Sequence, residues 1–457
     1  MRRFYNPRLE KLDRADVEGL QLRLLRRLVR GARAGSPFWR RRIDAAGLDP
    51  QSDFDLESFS AIEPVTKHDF LADQEASPPF GEKLVARPRD IVQIMETSGT
   101  SGIGQERHPL SGREYEAMAA TWPYQFYWGG TLPGHTVVMT LPMGLQCGGL
   151  MLKRAGEKYG VNSLFLAAMD ARRKLEAMVR YQVDALIAVP TYINRLRIVA
   201  AEMGIDVRRD MPRLQTVYTA AESYPEFWPA EVAEDWGVHI SEWYGTTQAA
   251  GNHAFTCEEG IARSDKRAPV LHNIDTHVLM EVIDPATGRH VADGEEGEAV
   301  ITPLFKTDNP VLRFATGDKV RFVDHRYCGC GRPFCGIIGG TIQRYDDMMK
   351  IRGTNLWPAA IDEVVFSGRE VEEYAGRVWV DDAGRENVEI AVEFKAGASA
   401  DRSELMSQLK ARIATSSGVK MSVVEAASGS LPRFDFKVRR WTDERRKDRQ
   451  VVKYLAN

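Results

Sequence analysis

Ser98, Thr100 and Ser101 stand among Gly99, Gly102 and Gly104 in the stretch ETSGTSGIGQE, residues 96 to 106. Glycines allow close approach and hydroxyls donate, so such a loop can converge backbone N–H groups on an anion. The apolar run DIVQIME precedes it and would aim it from a strand. A phosphate loop of the Gly-Lys-Ser/Thr kind carries a lysine, and none occurs between residues 96 and 106. A flexible surface turn accounts equally well for this loop taken alone.

Other stretches repeat the pattern. YTAAESYP (218–225) and SEWYGTTQAAG (241–251) each set small or hydroxyl residues behind an apolar run. In LRFATGDKVRF, Asp318 follows Thr-Gly, a turn that exposes a carboxylate able to chelate a ribose diol. QRYDDMMKIRGTNLWP combines Arg344 with an Asp-Asp pair and a glycine, and LPRFDFKVRRW holds Lys437 among aromatics. Cys328 and Cys330 make a C-x-C pair before Gly331 and Arg332, as compatible with a chance turn as with two metal ligands.

These residues need elements to hold them. The chain has 457 residues, enough for two or three domains, with 43% hydrophobic and 27% charged residues. A net charge of −3 gives no general attraction for nucleic acid or anionic lipid. No apolar run of membrane-spanning length and no secretory signal are present, and five cysteines do not make a disulfide scaffold; a reducing cytoplasm is expected. Val17, Leu20, Leu24 and Leu28 repeat at helical spacing, with arginines on a solvated face. Up to about residue 250, short runs such as ALIAVPTYI alternate with helical patterns such as DARRKLEAMVRYQ. That alternation predicts an α/β layer fold with a largely parallel sheet. THVLMEVIDPATGRHVADGEEGEAVITPL reads instead as two antiparallel strands. Beyond QRYDDMMKIRG a smaller α+β unit is expected, with a hairpin in RVWVDDAGRENVEIAVEF and a helix in DRSELMSQLKARIAT. Domains of 1–344 and 345–457 follow.

The order of the motifs resembles the adenylate-forming superfamily: Ser/Thr/Gly loop, Ala-Ala-Glu, Tyr-Gly-Thr-Thr, Thr-Gly-Asp, Arg-x-Asp-Asp and a late lysine. The opening YNPRLEKL, the segment DDMMKIRGTNLWPAAIDE and CGCGR are similar to the phenylacetate–CoA ligase branch, over essentially the whole chain. The resemblance implies that a carboxylate attacks the α-phosphorus of ATP, pyrophosphate leaves, and the acyl group passes to the thiol of CoA. It assigns Ser98, Gly99, Thr100, Ser101 and Gly102 to the phosphates, and Ala221, Glu222, Ser223, Trp243 and Tyr244 to the adenine. Gly245 and Thr246 belong to the same nucleotide site, Thr247 to the α-phosphate, Asp318 to the ribose, and Arg344 to ribose or phosphate. Lys437 is the implied cation of adenylation. Asp346 is the implied hinge of a mobile C-terminal lid, and the loop around Gly353 shapes the CoA tunnel.

The chain departs from the family where a glutamate that helps hold Mg²⁺ usually follows Tyr-Gly-x-Ser/Thr; Gln248 stands there. An amide oxygen still ligates Mg²⁺, without the charge. The phosphate loop ends in Gly104, Gln105 and Arg107 where the family often has Gly-Lys; Arg107 reads either as replacement charge or as a solvated side chain. Members of the branch hold a structural Zn²⁺ near the C-x-C loop, which implicates Cys257, His272, Cys328 and Cys330, with Cys335 as a substitute and Cys147 as a core residue. The matching acyl pocket is Met143, Leu145, Gln146, Gly148 and Tyr218, an apolar slot suited to a substituted benzoate or a phenylacetate. Gln146 either bonds a ring substituent or satisfies backbone. Further expectations are a carrier-protein thiol as alternative acceptor, a homodimer, ATP-dependent diazotisation of an aminoarene with nitrite, and, as the rival of another class, a non-catalytic nucleotide-binding scaffold.

Overall fold

A computed structural model describes residues 4–97, 104–145, 147–222, 224, 226–262, 267–352, 354–367, 370–381, 385–395, 402–432 and 440–446, without the side chains of residues 346, 355, 359 and 446. The chain forms two compact units. The larger comprises residues 1–188, 196–220 and 229–342, and the smaller residues 189–195, 221–228 and 343–457.

In the larger unit the strands are β1 (Ile91–Glu96), β2 (Arg107–Ser111), β3 (Thr136–Met139), β4 (Asn162–Phe165), β5 (Ala185–Ile187), β6 (Thr216–Thr219), β7 (His239–Thr246), β8 (Gly251–Thr256), β9 (Val270–Asn273), β10 (Val278–Ile283), β11 (Glu296–Pro303), β12 (Phe314–Val323) and β13 (Gly336–Ile338). Strands β4, β3, β5, β6 and β7 lie side by side and parallel in that order. Helices Cys147–Tyr159 and Ala171–Tyr181 make the crossovers from β3 to β4 and from β4 to β5. Strands covered on both faces read as unbroken apolar runs, and β5 and β6 are buried at every position. From β7 the sheet continues antiparallel through β8, β9, β13, β12, β11 and β10. The expected α/β half and the antiparallel element are thus parts of one sheet. Strands β1 and β2 form a separate hairpin.

Trp122, Phe126, Trp128, Tyr218, Trp243 and Phe255 dominate one core cluster of this unit. Each such ring contributes about 1.5–3 kcal/mol by leaving water. A second cluster gathers Leu25, Leu28, Trp39, Phe70 and Phe314. The helix Arg14–Gly35 buries Val17, Gln21, Leu25, Leu28 and Ala32. Leu20 and Leu24, expected on the buried stripe, are half-buried. The stripe follows steps of four and three residues from Val17, so it runs one position further round the helix.

In the smaller unit, Val371–Val380 and Glu386–Phe394 pair as the expected hairpin, and the helix Arg402–Ser417 buries Leu409 and Ile413. No described helix is long and apolar enough to cross a membrane.

Candidate active site and metal centre

The β1–β2 hairpin flanks the stretch expected to bind phosphate. Glu96 lies opposite Arg107, and the neck is closed by Thr97 N donating to Glu106 O (3.0 Å) and Glu106 N to Thr97 Oγ1 (2.9 Å). Glu96 N donates to Leu145 O at 2.8 Å, tying the same neck to the expected acyl segment. Ser98, Gly99, Thr100, Ser101 and Gly102 lie outside the described residues, as do Gln146, Ser223, Gly353, Lys437 and the side chain of Asp346.

Asp318 owes its position to a bulge. Glu298 pairs with Lys319 and Val300 with Ala315, so Thr316, Gly317 and Asp318 together face Ala299. An extra-residue bulge bends the strand and re-aims its side chains. Thr316 Oγ1 donates to Ala299 O (2.9 Å) and accepts from Asp318 N (3.1 Å), while Gly317 N donates to Glu298 Oε1 (2.9 Å). Tyr244 Oη then donates to Asp318 Oδ2 at 2.7 Å, joining two of the expected nucleotide residues. Trp243 packs on Trp122 with ring centroids 5.2 Å apart. Gly245 is required by the backbone itself, because a Cβ there would stand 2.4 Å from Asn252 Cα and from Gly251 O. Thr246 and Thr247 follow, half-buried, at the turn into β8. A Tyr244→Phe chain is expected to raise the ATP KM by up to about tenfold, about 1.4 kcal/mol, with little change in kcat; an unchanged KM counts against this hold on Asp318.

Gln248 is buried, and its Nε2 donates to Glu106 Oε2 at 2.7 Å. On the other carboxylate oxygen, Glu106 Oε1 lies 2.9 Å from His108 Nε2. Lys306 Nζ donates to Gln248 O (3.3 Å), Lys83 Nζ to Asn309 Oδ1 (2.8 Å), and Glu114 Oε1 accepts from Asp308 N and Asn309 N. Every side chain of this cluster is buried. Burial holds His108 down to about 4, so its imidazole is neutral near pH 7, and burial with the neighbouring Lys306 charge brings Lys83 to about 8. Burial works against the Glu106 carboxylate, yet His108, Lys83 and the Gln248 amide keep it below its usual value. Sequence reasoning missed this cluster. Its one legible sign is the i, i+2 spacing of Glu106 and His108, which puts both on one face of the extended chain entering β2. Arg107, weighed as a replacement charge, has its backbone N–H and carbonyl bound to Gln74. As a Mg²⁺ site the pair fits one neutral oxygen ligand: the Gln248 nitrogen is engaged, and its carbonyl oxygen takes no hydrogen bond from the described residues.

In the smaller unit, Ala221 sits at φ +69°, a region costing a non-glycine residue about 1–3 kcal/mol and concentrated at functional turns. The Glu222 carboxylate accepts from Thr191 N (3.1 Å) and Thr191 Oγ1 (2.7 Å). Arg344 is exposed.

Among the acyl-pocket candidates, Met143 and Leu145 are exposed and Gly148 half-buried. Tyr218 departs from the expectation of an open slot wall: it is fully buried, with its hydroxyl on Thr131 Oγ1 (2.8 Å) and its ring against Phe126 and Trp122. A tyrosine on the central strand β6 is claimed by the core. A cavity of about 240 Å³ is lined by Glu96, Thr97, Gln105, Pro142, Gly144 and Leu145.

Cys257, at the end of β8, His272 on β9, and Cys328 and Cys330, between β12 and β13, converge with all ligand atoms within 4.8 Å of one another. Pairing of Phe255 with His272 and of Gly336 with His272 brings the three segments together. Gly329 (φ +74°) and Gly331 (φ +79°) adopt the left-handed conformations that curl the C-x-C turn. The Cys257–Cys328 sulfur separation is 3.7 Å and that from Cys330 Sγ to His272 Nε2 is 3.6 Å. Tetrahedral zinc with Zn–S near 2.3 Å and Zn–N near 2.0 Å requires about 3.8 and about 3.5 Å. The His272 Nδ1 lies 3.3 Å from Phe334 O, which leaves Nε2 to face the sulfurs. Arg332, fully buried, binds Glu258 Oε2 (2.7 Å) and Glu10 Oε1 (3.0 Å) and stacks 4.4 Å from the Trp128 ring. Glu10 also accepts from Trp128 Nε1 at 2.7 Å.

Residues 45–302 match the AMP-binding enzyme family, and residues 353–445 the AMP-binding enzyme C-terminal domain. The phenylacetate-coenzyme A ligase of Thermus thermophilus is 30% identical over 373 residues, covering 80% of this chain and 79% of that protein. Its namesake from Pseudomonas putida is 25% identical over 450 residues, 96% of this chain and 97% of that protein. Among solved structures, 2-hydroxyisobutyryl-CoA ligase in the postadenylation state with 2-HIB-AMP superposes with a TM-score of 0.86, covering 97% of this chain and 93% of that one at 23% identity, a likeness of fold. The order of the sequence motifs and these matches agree: the chain belongs to the adenylate-forming AMP-binding enzymes, in the phenylacetate–CoA ligase-like branch, and is an AMP-forming CoA ligase.

Proposed function

We propose that the acid activated by this chain is aromatic, of the phenylacetate or substituted benzoate type. The observation that carries the reading is the Glu96–Leu145 backbone bond, with the cavity beside it. It ties the exposed segment Met143–Leu145, expected to line the acyl pocket, to the neck of the loop expected to bind phosphate, which supports a shared site for acid and ATP. The named relatives act on phenylacetate, which supports the same class.

In the first half-reaction a carboxylate oxygen bonds to the α-phosphorus, the bond to the bridging oxygen of the β-phosphate breaks, and pyrophosphate leaves. In the second, the CoA thiolate bonds to the acyl carbon and AMP leaves. Fixed donors and cations stabilise the charge that develops. Residues 98–102 with Thr247 bind the phosphates, Asp318 chelates the ribose, and Ala221, Glu222, Ser223, Trp243 and Tyr244 frame the base, with Gly245 and Thr246 in the same site. Arg344 meets ribose or phosphate. Mg²⁺, when bound, neutralises phosphate charge, with Gln248 offering it an amide oxygen. The division at 344/345, the hinge at Asp346, the pantetheine tunnel near Gly353, and zinc on Cys257, His272, Cys328 and Cys330 belong to the same proposal. Carrier-protein transfer and a homodimer have no observation of their own and are not included.

The test is pyrophosphate release with a panel of aryl and aliphatic acids, each with and without CoA. Aromatic acids are expected to be preferred, with a thioester formed only when CoA is present. Preference for aliphatic acids, or release with nitrite and an aminoarene alone, would sink the reading. A Lys437→Ala chain is expected to lose adenylation far more than thioester formation from supplied adenylate; equal losses in both half-reactions would remove that role.

A further inference from the structure

Where the family carries a Mg²⁺-binding glutamate, this chain has an amide, and against that amide it buries a carboxylate from the far side of the phosphate loop. We propose that Glu106 is a positioning residue for the divalent cation: it supplies from the loop's downstream edge the charge that Gln248 lacks, and fixes the Gln248 amide with its carbonyl oxygen left to the cation. The proposal rests on the reading under Proposed function.

Three observations support it. A carboxylate only accepts hydrogen bonds, so the 2.7 Å contact on Glu106 Oε2 determines which end of the Gln248 amide faces inward. The nitrogen is engaged, and Oε1 remains without a hydrogen bond from the described residues. Second, Glu106 is anchored to the loop by its own backbone, since its N–H and C=O both bond Thr97 across the neck. Third, the surroundings fix the charge of the pair. Three carboxyls, Glu106, Glu114 and Asp73, and two lysines, Lys83 and Lys306, share one buried cluster beside His108. A glutamate at position 248 would set two carboxylates in hydrogen-bond contact there, and one would have to take a proton or a cation. The glutamine at 248 and the glutamate at 106 are therefore one matched choice.

The decisive variant transposes it. Four chains are compared: unaltered, Glu106→Gln, Gln248→Glu, and the double Glu106→Gln/Gln248→Glu. Melting is measured in EDTA without nucleotide, and ATP–pyrophosphate exchange is measured against Mg²⁺ concentration. Each single change is expected to lower the melting temperature in EDTA, and Glu106→Gln is expected to raise the Mg²⁺ half-saturation by about tenfold or more, the usual effect of removing a partner of a metal ligand. The double variant restores the charge and one hydrogen bond in reverse, so it is expected to recover both readouts to within about threefold of the unaltered chain in Mg²⁺. A double variant that melts no higher than the weaker single, or needs as much Mg²⁺, overturns the proposal. So does Glu106→Gln with an unaltered Mg²⁺ profile. If the single variants do not fold, the double alone decides. Absence of exchange by the unaltered chain with every acid fails the functional reading and takes the cation role with it. Failure of the proposal alone looks different, because the unaltered chain then exchanges and the transposed one does not recover.

Discussion

Changing Cys330 to serine is expected to lower the melting temperature by about 5–10 °C and to release zinc, about one equivalent per unaltered chain. Four buried donors with separations of 3.7 and 3.6 Å match a closed tetrahedral site. Such a site contributes folding energy directly, because the unfolded chain holds no preformed cage. Three thiolates around one Zn²⁺ leave a net charge of about −1, and the buried Arg332 guanidinium stands beside Cys330, which favours that charged form. Cys335→Ser supplies the contrast. Its thiol is not part of the converging set, its backbone N–H donates to Asp275, and burial pushes the thiol up to about 12, so it stays protonated. That variant is expected to retain zinc and to melt within about 2 °C of the unaltered chain. Purified chain without zinc, or a Cys330→Ser chain melting like the Cys335→Ser chain, would remove the assignment.

The second large effect is expected at Arg313, where replacement by methionine should cost about 3–5 kcal/mol. This residue is buried and held at φ +45° just before β12. Its Nε and Nη2 meet Glu281 at 3.2 and 3.1 Å, and its Nη1 donates to the carbonyls of Ser60 and Ile62. Methionine keeps part of the volume but leaves the buried Glu281 carboxylate with only its His290 contact and takes the donor from the carbonyls of Ser60 and Ile62. Asp318 lies five residues further along the chain, so the loss should also reach the nucleotide: ATP KM is expected to rise together with the fall in stability. Urea unfolding and ATP KM on the same preparation check both. Loss of stability with an unaltered KM would separate the arginine from the ribose site.

The two kinds of feature differed in legibility for a physical reason. The local geometry around Gly245 and Asp318 is legible because a turn or a bulge demands small and polar residues at fixed offsets, and that demand is local. The C-x-C pair was readable for the same reason, since glycine is the residue that adopts its left-handed turns without steric cost. What joins these pieces is not local. Gln248 and Glu106 are 142 residues apart, and Arg332 and Glu10 are 322 apart. No spacing rule in one chain connects them. The burial of Tyr218 was not legible for a related cause: its neighbours in sequence suggest a site, while its place on a central strand puts its ring in the core. The one-position rotation of the first long helix is the same lesson in small, because Leu20 and Gln21 differ in hydropathy but packing chose Gln21.

The bond between Glu10 and Arg332 also has a consequence in time. A ribosome adding about 5–20 residues per second needs roughly 16–64 s to make the 322 residues between them. Through that interval the Glu10 carboxylate has no guanidinium to meet, and Cys328 and Cys330 do not yet exist to close the cage. This ion pair is therefore among the last contacts of its unit that can form, and the rate of synthesis sets how long Glu10 waits for it.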